Sequence, residues 1–327
     1  MLARRPVGVV EPGVVALERG PVPEPGPGQA LVAVRYVSID PTIRGWMNDA
    51  PGYLPPIGIG EVIRSAGLGE VEASNSDRYR VGDTVAGLTG WQDYTLIGEG
   101  RGEMSVIPRG VAPTAALGVL GATGMTAYFG LLEVGALREG DTVVVSGAAG
   151  AVGSVAGQIA RLKGAGRVVG IAGTPEKCAW LVDDLGFDAA IDYRRDDVGA
   201  RLREECPNGV DLYFDNVGGP ILDACLARLA LRGRIVVCGA ISRYNDVDPG
   251  PGPSNYLNLI RQRGRMEGFL ILDYLHRFPE GQAAMAGWVA AGKVKHAAQV
   301  IEGLERAPEA LNLLFTGGNT GKLLVKV

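Results

Sequence analysis

The pattern of apolar positions is most regular in the second half of the chain. From Asp141 onward, short runs rich in valine, isoleucine and leucine alternate with stretches whose apolar residues recur at helical spacing. The predicted strands are residues 143–145, 167–172, 189–193, 210–215 and 234–239, with 270–273 as a candidate sixth. The predicted helices between them are residues 152–162, 175–185, 198–206 and 220–231. Strands that alternate with helices of this length form βαβ units, so a doubly wound parallel sheet is predicted.

The first part of the chain has a different pattern, with short β-rich runs broken by turn residues. Its candidate strands are residues 30–37, 58–63, 80–86 and 91–97, which suggests a compact barrel or sandwich. Residues 117–134, 278–291 and 307–315 are predicted to be helical, and 321–327 to form one short strand. A lone C-terminal strand needs a sheet to join, and the first region is its natural host. We therefore predict an α/β protein with a β-rich domain of residues 1–114, completed by 297–327, and a parallel-sheet domain of residues 115–296.

A glycine turn joins the first strand and helix of the regular part. Residues 148–153 read Ala-Ala-Gly-Ala-Val-Gly, in the spacing A-x-G-x-x-G. Gly150 would let the backbone approach a pyrophosphate, and Gly153 would let the helix pack closely on the strand. The start of the helix would offer its unpaired N–H groups to the phosphates. The alternative is a tight strand–helix corner without a ligand.

The residues after the second strand favour NADP over NAD. NAD sites usually carry an acidic residue about 20 positions beyond the glycine turn, where it binds the ribose hydroxyls. Gly173 and Thr174 stand at that position here, and Lys177 follows early in the next helix. A carboxylate would repel a 2′-phosphate, whereas these residues would accept one. In the alternative interpretation Lys177 is an ordinary solvated helix residue.

Composition narrows the classes of function. The formal net charge of −4 and the absence of a long basic run argue against nucleic-acid binding. No apolar run reaches the roughly 18 residues of a membrane span, and no signal peptide is apparent, so we expect a cytoplasmic protein with reduced cysteines. No cysteine or histidine precedes Cys178, and the four cysteines have no short ligand spacing. We therefore expect no metal site.

The missing zinc ligands also bear on the reaction. Without a Lewis acid, the easier hydride chemistry is delivery from NADPH to an electron-poor C=C bond. The negative charge then develops on a remote carbonyl oxygen, which one or two hydrogen-bond donors can stabilise.

Several ordered motifs carry a family resemblance that covers essentially the whole chain. They lie at residues 38–44, 121–128, 148–154, 176–177, 185–188, 213–219, 238–245, 265–269 and 318–322. In these motifs the chain resembles the zinc-free medium-chain dehydrogenase/reductases, in particular the branch of prostaglandin, 2-alkenal (double-bond) and curcumin reductases. The resemblance implies a GroES-like catalytic domain and a Rossmann domain, with NADP(H) in the cleft between them, and an expected homodimer.

The resemblance also assigns cofactor-binding positions. It places Gly150, Ala151, Val152 and Gly153 at the pyrophosphate, Lys177 and Tyr193 at the 2′-phosphate, and Asn216 in the cofactor cleft. Beside the nicotinamide ribose and ring it places Cys238, Gly239, Ala240, Ile241, Ser242, Tyr244, Phe269, Leu270, Ile271 and Asn319.

Two tyrosines are the candidate catalytic residues. Tyr244 could donate a hydrogen bond to an enolate oxygen, or could only pack on the nicotinamide ribose. Tyr53 is a candidate wall of the substrate pocket, and Trp46 and Met47 would either line that pocket or belong to the core. The main hypothesis is NADPH-dependent reduction of the C=C bond of α,β-unsaturated ketones or aldehydes. The alternatives are a quinone oxidoreductase and a non-catalytic NADPH-binding or sensor protein.

Overall fold

The structure, a computed structural model, describes residues 1–248 and 250–327. The chain divides into two compact units: unit 1 is Met1–Leu117 with Ala298–Val327, and unit 2 is Gly118–Ala297. The boundaries predicted after residues 114 and 296 lie slightly earlier in the sequence.

Strands and helices are numbered in chain order. The strands are β1 (Gln29–Ile39), β2 (Ala66–Ser74), β3 (Thr84–Leu88), β4 (Tyr94–Gly98), β5 (Ser105–Val106), β6 (Thr142–Ser146), β7 (Arg167–Ala172), β8 (Ala189–Asp192), β9 (Val210–Asp215), β10 (Leu229–Val237), β11 (Arg265–Gly268), β12 (Ala298–Glu302) and β13 (Lys322–Lys326). The α-helices are α1 (Thr42–Trp46), α2 (Pro113–Leu117), α3 (Ala122–Phe129), α4 (Gly153–Leu162), α5 (Pro175–Ala179), α6 (Val198–Glu205), α7 (Gly219–Ala227), α8 (Asn258–Gln262), α9 (Phe278–Ala290) and α10 (Ala307–Thr316). Gly130–Val134 and Trp180–Asp184 are π-helical, and Ile241–Arg243, Ile271–Arg277 and Leu304–Arg306 are 3-10 turns.

Unit 1 is built on a seven-stranded sheet. Its order is β12-β13-β1-β2-β3-β5, and β4 also pairs with β1. Strand β13 runs antiparallel to β1, with Tyr36 opposite Lys326, which confirms that the C-terminal strand joins the sheet of the first region. Val37 and Leu311 are fully buried in the main core of this unit. Met47 belongs to the same core, and this excludes it from a solvent-accessible pocket wall.

Unit 2 is built on a six-stranded parallel sheet in the order β11-β10-β9-β6-β7-β8, which confirms the predicted doubly wound architecture. The chain leaves β6 for β7 on one side, and β9 pairs with β6 on the other. Ligands bind at such a reversal of strand order, beyond the carboxyl ends of the strands. Val143, Val144 and Val145 are fully buried because helices cover both faces of a parallel sheet.

One predicted strand of unit 1 is wrong. Residues 58–63 form a turn, since Gly60 has a φ of +82° and the Gly58 N–H donates to the Glu61 carboxylate at 2.8 Å. The left-handed glycine interrupts the apolar alternation that suggested a strand. Strand β2 instead begins at Ala66 and was not predicted.

Two predictions in unit 2 are also wrong. The sixth strand is β11 rather than residues 270–273, which lie at the start of a 3-10 turn. All four residues of β11 are exposed, so this edge strand has no apolar pattern to reveal it. The helix predicted over residues 220–231 ends at Ala227, and Leu229 already pairs with Val210 in the sheet. Tertiary pairing overrides the apolar run there.

Candidate active site

The glycine turn after β6 is tightly packed. Gly147 has a φ of +57°, and a Cβ on Gly153 would lie 2.4 Å from the Gly147 carbonyl oxygen. A Cβ on Gly150 would lie 3.2 Å from the same oxygen. Only glycine fits at position 153, as the predicted close approach of helix and strand requires. The turn also depends on Gly147, which the A-x-G-x-x-G spacing does not include.

The start of α4 is arranged as an anion site would be. Val152 is its N-cap, and among the described residues no side chain caps it. Ser154 is directed back into the turn, where its hydroxyl donates to the Gly150 carbonyl at 2.7 Å. The N–H groups of Ser154 and Val155 donate to the Gly150 and Val152 carbonyls, and the helix start still carries partial positive charge, which favours phosphate. The predicted pyrophosphate contacts of residues 150–153 are compatible with this geometry.

The end of β7 carries an aromatic ring and two neighbouring cationic side chains. The Tyr193 ring lies over Gly173, where a Cβ would be 2.8 Å from a ring carbon. Thr174 caps α5 by accepting the Lys177 backbone N–H at 3.3 Å. The Lys177 side chain is half-buried, and its pKa is lowered first by that burial and then by the charge of Arg194. The structure thus brings Lys177 and Tyr193 to the same end of β7, and their contact with a 2′-phosphate stays a prediction.

Arg194 is a functional candidate that the sequence interpretation missed. Its guanidinium carbon lies 5.8 Å from the centroid of the Tyr193 ring, and its backbone N–H donates to the Asp192 carboxylate at 3.0 Å. Two neighbouring cations repel each other in the absence of an anion, and a phosphate relieves that repulsion. The pair of arginines, Arg194 and Arg195, directly after a predicted strand was the available signal.

A buried carboxylate organises the carboxyl end of β9. One oxygen of Asp215, Oδ1, accepts hydrogen bonds at 2.7–3.0 Å from four donors: the hydroxyls of Ser146 and Tyr213 and the N–H groups of Val217 and Gly218. Asp215 is 1% exposed, so these bonds compensate the burial of its charge. This residue was not predicted, although an acidic residue ending an apolar strand was a signal.

Asn216 and the segment 238–244 are held together at this edge. The Asn216 amide donates to the Ser146 carbonyl at 2.7 Å. The backbone N–H of Ile241 donates to the Asn216 carbonyl, and both the N–H and the hydroxyl of Ser242 donate to the Val217 carbonyl. The structure therefore places the predicted residues of both segments side by side, next to β6.

Tyr244 is directed back over its own segment. Its hydroxyl accepts the Ala240 N–H at 3.2 Å and would lie 3.2 Å from a Cβ on Gly239. Cys238 is a poor nucleophile, since burial and then the Asp215 charge raise the pKa of its thiol to about 12.

The segment predicted to line the nicotinamide begins with a packed aromatic ring. Phe269 stands edge-on to Tyr274 with ring centroids 6.3 Å apart, and a Cβ on Gly130 would lie 2.6 Å from its ring. Leu270 and Ile271 are half-buried where the 3-10 turn starts. Their contacts with a nicotinamide stay predictions.

Tyr53 and Asn319 belong to unit 1. The Tyr53 side chain is half exposed, its hydroxyl lies 2.5 Å from Thr42 Oγ1, and its ring stands edge-on to Trp46. The Asn319 amide donates to the Gly321 carbonyl at 3.0 Å. Their roles towards substrate and cofactor stay predictions.

Comparison with known proteins gives matches over the full chain. A model for the N-terminal domain of oxidoreductases matches residues 1–106, and a model described as zinc-binding dehydrogenase matches residues 151–287. The NADPH-dependent curcumin reductase of Escherichia coli is 42% identical over 100% of this chain and 96% of its own length. This chain belongs to the medium-chain dehydrogenase/reductase family. Its units have the GroES-like and Rossmann folds of that family.

Two further relatives define the branch. A 2-alkenal reductase (NADP⁺-dependent) of Nicotiana tabacum is 42% identical over 94% of this chain and 89% of its own. The crystal structure of CurA from Vibrio vulnificus in complex with NADPH has a TM-score of 0.94 and 44% identity, covering 100% of this chain and 98% of that one. This chain is therefore an NADP(H)-dependent oxidoreductase of the curcumin and alkenal reductase type.

The zinc in the description of the second family model does not fit the residues present. The described part of the chain contains no group of three or more His, Cys, Asp or Glu side chains that could hold a metal ion. Cys206 and Cys225 are buried as free thiols, and burial raises the pKa of Cys206 to about 11. Among residues 1–248 and 250–327, no helix has the length and apolarity needed to cross a membrane.

Proposed function

We propose that this protein reduces the C=C bond of α,β-unsaturated ketones and aldehydes with NADPH, delivering hydride to the β-carbon. The observation that carries the proposal is the similarity, over nearly the whole chain, to a curcumin reductase and a 2-alkenal reductase. Curcumin and 2-alkenals both contain a carbonyl group conjugated with a C=C bond. A (+)-pulegone reductase of Mentha piperita, named for a third conjugated carbonyl compound, is 37% identical over 94% of the chain.

The Rossmann unit offers the groups that would hold the cofactor. Residues 150–153 would bind the pyrophosphate, and Lys177, Tyr193 and Arg194 the 2′-phosphate. Residues 216 and 238–244 would lie along the ribose and nicotinamide. When bound, the reduced nicotinamide supplies the hydride.

Tyr244 is the proposed donor to the substrate. Hydride arrival at the β-carbon moves the π electrons of the C=C bond towards the carbonyl, so negative charge grows on the oxygen. The Tyr244 hydroxyl would turn its proton towards this enolate oxygen, while the Ala240 N–H keeps the hydroxyl oxygen in place. A proton from water then completes the α-carbon. Tyr53 would form a wall of the substrate site.

A direct test measures NADPH oxidation with a panel of enals, linear enones and diaryl enones, with product identification by mass spectrometry. Deuterium from C4-labelled NADPH should appear at the β-carbon of the saturated product. A panel of quinones serves as the comparison, because deuterium added to a quinone oxygen would exchange with water. Absence of NADPH consumption on every enone and enal would refute the proposal, and turnover of quinones alone would redirect it to quinone reduction.

We also propose that the protein is a homodimer that pairs through β11. This strand is at the edge of its sheet, and all four of its residues are exposed. Two-fold antiparallel pairing centred on Met266 would place Arg265 opposite Glu267 of a second copy, matching opposite charges. Light scattering should give twice the 34.2 kDa chain mass, and Met266→Lys should shift it towards the monomer. A wild-type protein that is monomeric at micromolar concentration contradicts this proposal.

A further inference from the structure

The N-terminal segment lies against the chain that follows the Tyr53 loop. Leu2 is fully buried, its N–H donates to the Glu61 carbonyl, and its own carbonyl accepts the Gly60 N–H, both at 2.8 Å. The short distance along the chain from Leu2 to Arg5 therefore brings the Arg5 side chain to the base of that loop.

The loop itself, residues 48–56, has fixed ends and an exposed middle. Met47 before it and Ile57 after it are both buried in the core of unit 1. The Ile57 N–H donates to the Trp46 carbonyl at 2.8 Å, which closes the base. The loop contains no helix or strand, and residues 49–53 are exposed. The position of its middle therefore depends on what holds its ends.

Arg5 binds both ends at once. Its Nη1 atom donates to the Met47 carbonyl at 2.9 Å and to the Ile57 carbonyl at 2.5 Å. Another nitrogen of the same guanidinium lies 3.8 Å from the Asp49 carboxylate. Hydrogen bonds from an ionised donor are the strong ones, so this single side chain acts as a clamp across the loop base.

The clamp acts on Tyr53 through the loop. Tyr53 contacts α1 at both of that helix's ends, by its hydroxyl to Thr42 and by its ring to Trp46. An exposed tyrosine on a loop keeps these contacts only while the base of the loop holds its distance from α1. Arg64, which donates to the Pro55 carbonyl at 2.9 Å, also supports the second half of the loop.

We propose that Arg5 is a positioning residue for substrate selection. By fixing both ends of the loop it holds Tyr53 as a rigid wall, and the binding of large aryl enones depends on that wall. The substrate class in this proposal rests on the proposed function. The contacts of Arg5 with the two ends of the loop do not depend on any activity.

Three variants test it. Arg5→Met keeps an unbranched stem and removes every donor. Arg5→Lys should keep most of the wild-type contacts with the loop. Both carbonyl bonds come from one nitrogen of Arg5, and an ammonium group has three donors. Arg4→Met is the matched control, since the neighbouring Arg4 makes an exposed ion pair with Glu11 and does not bind the loop.

The first measurement is limited chymotrypsin digestion, following the fragments 1–53 and 54–327 by intact mass. Cleavage after Tyr53 needs an open loop, so we expect it to be about tenfold faster in Arg5→Met, equal to about 1.4 kcal/mol of loop opening. Arg5→Lys and Arg4→Met should resemble the wild type. Equal rates in Arg5→Met and the wild type overturn the clamp.

The second measurement compares a bulky diaryl enone with a small linear one. In Arg5→Met we expect the KM of the bulky substrate to rise about tenfold, with kcat, the KM of the small enone and the Kd of NADPH within twofold. Faster cleavage with an unchanged KM makes Arg5 a purely structural residue and overturns the positioning role. A wild type inactive on all enones refutes the proposed function and the selection role, while the digestion still decides the clamp.

Discussion

Replacing Lys177 by alanine should separate NADPH from NADH. The two cofactors differ only in the 2′-phosphate, and Lys177 lies half-buried beside Arg194 at the end of β7, where we propose that this group binds. A hydrogen bond to a charged group contributes about 1.5–3 kcal/mol. At about 1.4 kcal/mol per factor of ten, the Kd of NADPH should rise between roughly tenfold and 150-fold. The Kd of NADH should change by less than twofold.

Arg194 decides where in that range the effect falls. It remains in the variant and still attracts the phosphate, so the lower half of the range is expected. The double variant Lys177→Ala, Arg194→Ala should lose much more NADPH affinity than either single variant.

Calorimetric or fluorescence titration of NADPH, NADH and 2′,5′-ADP at two salt concentrations gives the measurement. Salt screens phosphate contacts, so NADPH and 2′,5′-ADP should bind more weakly at high salt while NADH binding changes little. Lys163→Ala is the control, since that ammonium lies 5.3 Å from the Trp288 ring centroid, outside this site. Equal losses for NADPH and NADH, or no loss at all, would refute the assignment of the site.

Three further outcomes are expected. Gly153→Ala would place a methyl group 2.4 Å from the Gly147 carbonyl oxygen. In urea unfolding it should lower the free energy of unfolding by about 1–3 kcal/mol, and it should weaken NADPH binding. Gly150→Ala should have a smaller effect on both. An unaltered unfolding midpoint in Gly153→Ala would contradict the tight turn. Tyr244→Phe should lower kcat at least tenfold with the Kd of NADPH within twofold, and an unchanged kcat argues against the donor role. Burial raises the pKa of Cys206 from its usual 9.0 to about 11, so the folded state favours the neutral thiol. The contribution of this preference to the free energy of unfolding is complete below pH 9 and is lost as the pH rises towards 11. Between pH 8 and pH 10.5, the free energy of unfolding should fall less in Cys206→Ala than in the wild type. Equal losses of unfolding free energy in the two proteins would contradict the raised thiol pKa.

Local sequence patterns were sufficient to predict the structure where the interacting residues are near neighbours in the sequence. The valines of β6, the glycines at 150 and 153, and the helix after them form a strand–turn–helix unit whose geometry is set within a few residues. Lys177 could be selected in the same way, because it follows the end of a predicted strand at a short, fixed distance.

The missed residues depend on partners that are distant in sequence. Asp215 is held by Ser146 on another strand, and the Arg5 contacts reach residues 47 and 57. Strand β11 has only exposed side chains, so its position is decided by its pairing with β10 rather than by its own pattern. No spacing rule applies to such contacts, since the fold determines which residues meet.

The sequence by itself determined the class of fold, the dinucleotide turn and the preference for a 2′-phosphate, because each depends on backbone conformation and charge over short stretches. Only the tertiary structure decided that Arg194 lies near Lys177, that Asp215 organises the end of β9, and that the N-terminal Arg5 binds both ends of the Tyr53 loop. The reason is physical. Strand pairing and core packing fix which distant side chains lie within hydrogen-bonding distance, and those contacts position the groups of the site.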